Sequence, residues 1–191
     1  MSTVLITLAV LVGIVAVLAL IAIGIYNRMV ALRQTTNQAW SDVDVQLKQR
    51  HDLVPNLVET VKGYAGHEKS TLDAVVRARN AAVSAQGPEQ ASVAEGQLNG
   101  ALRQLFALTE AYPDLKANTG FLQLQAELSN LETKIAAARR FFNNAVAEFN
   151  TAIEQFPAVL LAGMFGFKAR AFFELKEEER AMVEAVPTVK F

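Results

Sequence analysis

The sequence predicts an all-α protein in which an N-terminal transmembrane helix continues into an elongated antiparallel bundle of about four long helices. The run from Val4 to Ile25 has no charged side chain, and as a helix it is roughly 33 Å long, enough to cross a hydrocarbon core of ~30 Å. From Trp40 onward, apolar or long side chains recur at alternating spacings of three and four residues. Later in the chain, bulky apolar side chains recur every seven residues. Both spacings are typical of long helices packed side by side.

The apolar run is best interpreted as a membrane anchor, which places a first domain at 1–27. A cleaved signal peptide needs a basic segment before a shorter apolar core, and a buried core helix needs apolar partners on all sides. Tyr26 and Arg28 suit the membrane–water interface. Arg28 and Arg33 follow the run, and no Lys or Arg precedes it. The positive-inside rule therefore predicts an Nout–Cin topology in the cell membrane, with the large domain in the cytoplasm.

One side of the predicted span consists mostly of small residues. In lipid, small side chains allow two helix backbones to approach closely, which is a main source of helix–helix attraction. We therefore expect a homo-oligomer with adjacent anchors in contact along this stripe: Ala9, Gly13, Ala16, Leu20 and Gly24.

The second predicted domain, 28–157, is the helical bundle. Nothing in the sequence separates the anchor from its first helix, so the two are expected to form one rod, interrupted only by Pro55. The seam of this helix is predicted to be Trp40, Val43, Leu47, Arg50, Val54, Leu57, Val61 and Tyr64. Trp40 is expected to be a core aromatic near the membrane-proximal end.

Three more helices are predicted in the bundle. The second starts near Ser70 as N-cap, with Asp73 three residues on, and the third runs from Pro88 to Pro113. The third helix is predicted to pack through Ala94, Leu98, Ala101, Leu105, Leu108 and Tyr112. The fourth is capped by Asn118 and stopped by Pro157, and packs through Phe121, Leu128, Ile135, Phe142, Phe149 and Phe156.

The third predicted domain is a Phe-rich C-terminal tail at 158–191. Its many large apolar side chains are not expected to stay in water. One interpretation is a tail folded back over the bundle, and the other is a surface that docks a partner or the membrane interface. Val189–Phe191 also has the alternating form captured by strand addition in peptide-binding grooves, with a self-packed or disordered tail as the alternative.

Several function classes are disfavoured by composition. The chain has no cysteine, which excludes disulfides and thiolate chemistry, and its net charge of -1 argues against a nucleic-acid partner. His51 and His67 are too far apart to share one helix face as zinc-binding pairs do. No phosphate-binding glycine loop, nucleophile elbow or paired-carboxylate motif is found. We therefore expect no enzymatic activity, no catalytic residues, no metal and no cofactor.

Arg50 is the polar residue that stands out, because it occupies a seam position among apolar neighbours. One interpretation is that its long side chain reaches the bundle surface. The other is a buried guanidinium held by acceptors from another helix, which would fix the register of the helices.

The chain resembles the LemA family. The resemblance rests on RHDLVPNLVETVKGYAGHE from Arg50 to Glu68, AYPDLKAN from Ala111 to Asn118, FLQLQAEL from Phe121 to Leu128 and FGFK from Phe165 to Lys168. The four blocks stand in the family's order, and the resemblance covers nearly the whole chain. One departure is that Phe141, Phe142 and Phe149 stand where tyrosines are expected, so a hydroxyl role at these positions is not carried over.

The resemblance implies a single-span bacterial membrane protein with a long antiparallel bundle and no established enzymatic activity. Relatives are associated with bacterial membranes, including magnetosome membranes, and some are encoded beside a membrane zinc protease. The resulting hypothesis is a membrane-anchored scaffold or adaptor whose partners are the lipid bilayer, other copies of the chain, and a membrane protease or another membrane protein. The alternative is a ligand sensor that transmits a helix shift through the anchor.

Overall fold

The computed structural model describes residues 1–174 and confirms the all-α class. Within this range the regular elements are all helices, and the segment 167–174 has no regular secondary structure. The six helices are α1 (Ser2–Ala65), α2 (Lys69–Ser84), α3 (Gly87–Thr109), α4 (Pro113–Lys116), α5 (Thr119–Glu154) and α6 (Ala158–Met164). Half of the predicted tail domain, including Val189–Phe191, lies outside the described residues.

Helix α1 confirms that the apolar N-terminal run continues into the bundle as one helix. It contains 64 residues, and Pro55 lies inside it without ending it. Its first part is a candidate membrane span by length and composition, and none of its most apolar 18-residue window is buried. The predicted seam in the later part of α1 is buried from Val43 to Val61, whereas Tyr64 is 44% exposed.

The helix ends agree with the sequence prediction at some positions and not at others. Ser70 was expected to cap α2, but the helix begins at Lys69, and Glu68 in the cap position makes no side-chain capping hydrogen bond. Asn118 does cap α5, because its Oδ1 accepts a hydrogen bond from the Phe121 N–H at 2.9 Å. The predicted connection after Pro113 is in fact the short helix α4, which begins at Pro113 because proline lacks an N–H that the first turn would leave unused.

The buried face of the third helix overlaps the predicted one. Ala94, Leu98 and Leu105 are fully buried as predicted, whereas Ala101, Leu108 and Tyr112 are partly buried against the same core. The prediction missed further buried positions on one side of the stripe: Ala91, Glu95, Leu102 and Thr109. Among these, Glu95 lies in the interior and is 3% exposed.

The chain forms two compact units. The first consists of Met1–Ala39 and Asn144–Arg170, and the second of Trp40–Asn143 with the segment that starts at Ala171. The core of the first unit consists of Met29, Phe149, Ile153, Ala162 and Phe167. The larger core of the second unit is formed by apolar side chains of α1, α2, α3, α4 and α5, among them Val54, Leu57, Val75, Leu98, Leu105, Leu115, Phe121 and Leu128.

Candidate functional site

Arg50 is the centre of a buried ion-pair cluster in the second unit. Its position in the seam of α1 turns it into the interior, where it is 1% exposed. One guanidinium nitrogen, Nη1, donates to Asn99 Oδ1 on α3 at 2.7 Å and to Glu132 Oε1 on α5. The other, Nη2, pairs with Glu95 Oε2 on α3. The contacts are those of the second interpretation of Arg50, a guanidinium held by acceptors from neighbouring helices.

Glu95 is the buried acid of the cluster. Its second carboxylate oxygen, Oε1, lies 2.6 Å from Nε2 of His51, the residue next to Arg50. Glu132 differs from Glu95, because its side chain is 46% exposed and so keeps much of its hydration. Arg50 therefore has one fully buried and one half-exposed carboxylate partner. Burying Arg50 and Glu95 is tolerable only because each neutralises the other.

The backbone at His51 is supported by a contact that Pro55 makes necessary. Pro55 has no N–H, so the carbonyl of His51, four residues earlier, lacks its usual helical donor. Arg79 on α2 supplies a donor instead, since its Nε binds the His51 carbonyl oxygen at 3.2 Å. The conformation of α1 near the cluster is therefore stabilised by a side chain of a second helix. This contact also brings a further positive charge close to His51.

The imidazole of His51 is held in its neutral form. Burial, followed by the positive charges of Arg50 and Arg79, lowers the pKa of His51 from 6.5 to about 4. Asp52 and Asp44 oppose this shift more weakly. At neutral pH the ring therefore carries one proton, and the hydrogen bond to Glu95 requires that proton on Nε2, which donates to Oε1.

The cluster borders a small cavity of about 100 Å³. Arg50, Glu95, Asn99 and Glu132 line it together with Arg139 and apolar side chains of α1 and α5. Within residues 1–174, Nε of Arg50 has no hydrogen-bond partner. In the same range no group of three or more His, Asp or Glu side chains is arranged to hold a metal ion.

Arg50 links three helices through one side chain. It connects α1 to both α3 and α5, so a shift of α3 along α1 would break the buried contact with Glu95, and a shift of α5 would break the contact with the half-exposed Glu132. Breaking a buried pair is much more costly than breaking an exposed one. We therefore expect the contact with Glu95 to favour one register of the bundle.

The remaining residues singled out from the sequence lie elsewhere. Trp40 is partly buried and packs on Phe142 at 5.2 Å and on Phe173 at 5.7 Å between ring centres. His67 lies in the exposed turn between α1 and α2. The residues from Val4 toward Ile25 form the apolar part of α1. Its stripe of small residues is exposed in the single chain: Ala9, Gly13, Ala16, Leu20 and Gly24.

Sequence reasoning missed the four residues that complete the site around Arg50: His51, Glu95, Asn99 and Glu132. A signal for Glu95 was present, because it lies three residues before Leu98 and seven before Leu102, both buried positions of α3. Glu95 is a charged residue at an apolar seam position of α3, as Arg50 is in α1, and its charge is opposite to that of Arg50. For His51 the chain offers no such signal, because its partner Glu95 lies 44 residues away.

Comparison with known proteins places this arrangement in a family. The model of the LemA family matches residues 39–191, which include the whole cluster. The chain is 28% identical to Protein LemA of Metamycoplasma hominis, with 85% of this chain and 74% of that protein covered. It is 26% identical to the Magnetosome protein MamQ of Magnetospirillum gryphiswaldense and to the Magnetosome protein MamQ 1 of Paramagnetospirillum magneticum, with 79% of this chain covered in each case.

The chain spans 65% of the length of these two MamQ proteins. The family match covers most of the chain and includes Arg50, Glu95 and Glu132, which form the buried cluster. It also agrees with the four sequence blocks that carry the resemblance. The chain therefore belongs to the LemA family.

Proposed function

We propose that the protein is a membrane-anchored helical scaffold or adaptor of a bacterial membrane, which assembles with itself and with other membrane proteins. The observation that carries this proposal is the division of α1 into two parts with opposite environments. The large apolar side chains from Val4 to Ile23 are exposed, whereas the seam side chains from Val43 to Val61 are buried in the core. An exposed apolar helix of this length is stable in a bilayer and not in water.

The scaffold role is supported by what the buried cluster does. It joins three helices through charges that hold their register, which favours a rigid body that presents fixed surfaces. We propose no catalytic role for it, because Arg50 and Glu95 neutralise each other. We propose that the partners are other copies of the chain and a membrane protease or another membrane protein.

Crosslinking in native membranes followed by mass spectrometry tests the scaffold role. A scaffold is expected to give reproducible crosslinks from its exposed lysines to itself and to one or more other membrane proteins. Lys48, Lys62 and Lys116 are exposed and available for this chemistry. Recovery of crosslinks only within single chains would contradict the proposal.

Self-association is expected to use the small-residue stripe of the anchor. A Cβ added at Gly13 meets nothing within 4 Å in the single chain. Gly13→Leu therefore fits the protomer but would hold a neighbouring helix away. We expect the variant to sediment in detergent as a smaller species than wild type, while Val10→Leu on the bulkier side of the anchor changes nothing. Equal sedimentation of both variants and wild type would show that the stripe is not an interface.

The membrane topology is expected to be Nout–Cin, because Arg28 and Arg33 follow the span directly. The chain has no native cysteine, so a single Ser129→Cys substitution on the exposed side of α5 gives one labelling site. In intact cells we expect an impermeant thiol reagent to leave this site unmodified, and in lysed cells to modify it. Ready labelling in intact cells would reverse the assignment.

A ligand sensor is the second candidate function, and the cavity beside Arg50 is the observation that favours it. Its volume of about 100 Å³ is that of roughly three water molecules, which limits a ligand to a small ion or a molecule of a few heavy atoms. Glu95 and Glu132 already neutralise Arg50, which weakens attraction for an added anion. For this reason the scaffold is our first proposal.

A further inference from the structure

The segment from Phe156 to Phe167 carries no polar side chain. It contains the short helix α6 and belongs to the first unit, together with the apolar part of α1. A helix that is apolar on all sides needs an apolar environment on all sides. Within the first unit, only one side of α6 has apolar neighbours.

The inward side of α6 packs on the core of the first unit. Ala162 is buried, and Ala158 and Leu161 pack against the same core. The outward side consists of Val159, Leu160 and Met164, which are 44%, 62% and 77% exposed. With the flanking Phe156 and Phe165, which are also exposed, these three residues form a continuous apolar surface that we call the α6 patch.

The end of α6 fixes which phenylalanine is buried and which belongs to the patch. Gly166 has φ +69°, and its N–H binds the Gly163 carbonyl at 3.4 Å, while the Phe167 N–H binds the Ala162 carbonyl at 2.9 Å. This is a Schellman ending, in which glycine takes the left-handed conformation. It turns Phe167 back onto Ala162 in the core and leaves Phe165 outside.

The patch lies beside the end of the candidate membrane span. The ring of Tyr26 packs edge-on against Phe165 at 4.9 Å and against Phe167 at 5.8 Å between ring centres. Ile25 and Val30 of α1 pack against the same core as α6. At 1.5 Å per residue, the stretch from Ile25 to Val30 rises roughly 8 Å, about the thickness of one headgroup layer. With the predicted span ending at Ile25, α6 packs beside the stretch of α1 that is expected to cross the headgroup layer.

The charged side chains of the first unit carry a net positive charge. Its N-terminal part contains Arg28 and Arg33 and no Asp or Glu, and its second part contains Lys168 and Arg170 against Glu148 and Glu154. Lys168 is exposed just beyond the apolar segment. Positive side chains next to an apolar surface are typical of segments that lie in the plane of a membrane interface.

We propose that the α6 patch is a second membrane-contact site, in which Leu160, Met164 and Phe165 insert into the interfacial layer of the bilayer that the anchor crosses. The inference rests on the proposed membrane anchor and adds a lipid-facing surface outside the span. With this contact, the first unit is attached to the bilayer at two places: α1 crosses the bilayer, and α6 lies along its surface. Anionic phospholipid is the expected partner at this surface.

Single-cysteine labelling tests the contact, because the native chain has no cysteine. The full-length variants Leu160→Cys and Met164→Cys carry an environment-sensitive fluorophore and are placed in nanodiscs of phosphatidylcholine and phosphatidylglycerol. Thr151→Cys, on the exposed side of α5 in the same unit, is the matched control. Val15→Cys reports on the anchor itself. Nitroxide lipids labelled near the headgroup and aqueous iodide are the two quenchers, and both reach either side of a nanodisc.

We expect the labels at Leu160 and Met164 to emit at shorter wavelength than the label at Thr151, to be quenched by the nitroxide lipids and to be protected from iodide. If iodide quenches the two patch labels as strongly as the Thr151 label, the patch lies in water and the inference is overturned. Protection of the patch labels from both quenchers would also overturn it, because protein and not lipid would then cover the patch. The Val15 label tests the anchor independently of the patch. A Val15 label in lipid with patch labels in water leaves the anchor standing and rejects only the second contact, whereas a Val15 label in water rejects the anchor.

Discussion

Arg50→Ala is expected to lower the free energy of unfolding by about 3 to 5 kcal/mol, the usual cost of removing one partner of a buried ion pair. The reason is Glu95, which at 3% exposure would be left in the interior without the guanidinium that neutralises it. For a chain of this size the loss corresponds to a fall in melting temperature of roughly 6 to 20 °C. Thermal unfolding of the detergent-solubilised full-length protein measures it.

Two further variants separate the charge of Arg50 from its packing. Arg50→Lys is expected to be destabilised as well, because one ammonium group cannot reproduce the fork that contacts Glu95, Asn99 and Glu132. The double variant Arg50→Met with Glu95→Gln is expected to regain part of the loss, since no charge is then stranded.

The matched control is Arg140→Ala, which removes an exposed arginine from α5 and should change stability by no more than about 0.5 kcal/mol. If Arg50→Ala melts like this control, the cluster contributes nothing to stability, and its role in helix register falls with it.

The parts of the fold that sequence could predict are those set by local periodicity. The continuous α1, the seam from Val43 to Val61 and the cap at Asn118 all follow from spacing or from one side chain acting on its own backbone. The stripe predicted for α3 was confirmed at Leu98 and Leu105 but did not include Glu95 and Leu102, because Ala, Leu and Gln at neighbouring positions allow two overlapping stripes. Tertiary packing favours the side of the helix that contains Glu95 and Leu102.

Of the residues in the candidate site, only Arg50 could be predicted from the sequence. A charged side chain in an apolar seam identifies Arg50, but its partners are far along the chain, 49 residues away for Asn99 and 82 for Glu132. No local rule connects such positions. The backbone carbonyl of His51 likewise has a distant partner, Arg79, which binds the oxygen that Pro55 leaves without its helical donor.

His51 is expected to make the folded protein sensitive to mild acid. Its pKa is about 4 in the folded state and 6.5 when unperturbed. Between these two pH values the unfolded chain binds a proton that the folded chain does not bind, so stability falls as the pH is lowered through this window. Above about pH 6.5 the histidine contributes no pH dependence, and below about pH 4 its effect is complete. The full loss is about 3 kcal/mol, of which about 2 kcal/mol is reached at pH 5.

The variant His51→Gln isolates this effect from the titration of the many carboxylates. The amide of glutamine is able to donate a hydrogen bond to Glu95 but does not titrate. We therefore expect the free energy of unfolding of wild type to fall by about 2 kcal/mol more than that of His51→Gln between about pH 7.5 and pH 5. His67→Gln, in the exposed turn after α1, is the control and should follow wild type. Parallel curves for wild type and His51→Gln would show that burial, Arg50 and Arg79 do not hold His51 neutral. A wild type that loses less than His51→Gln would show that Glu95 dominates and raises the pKa instead.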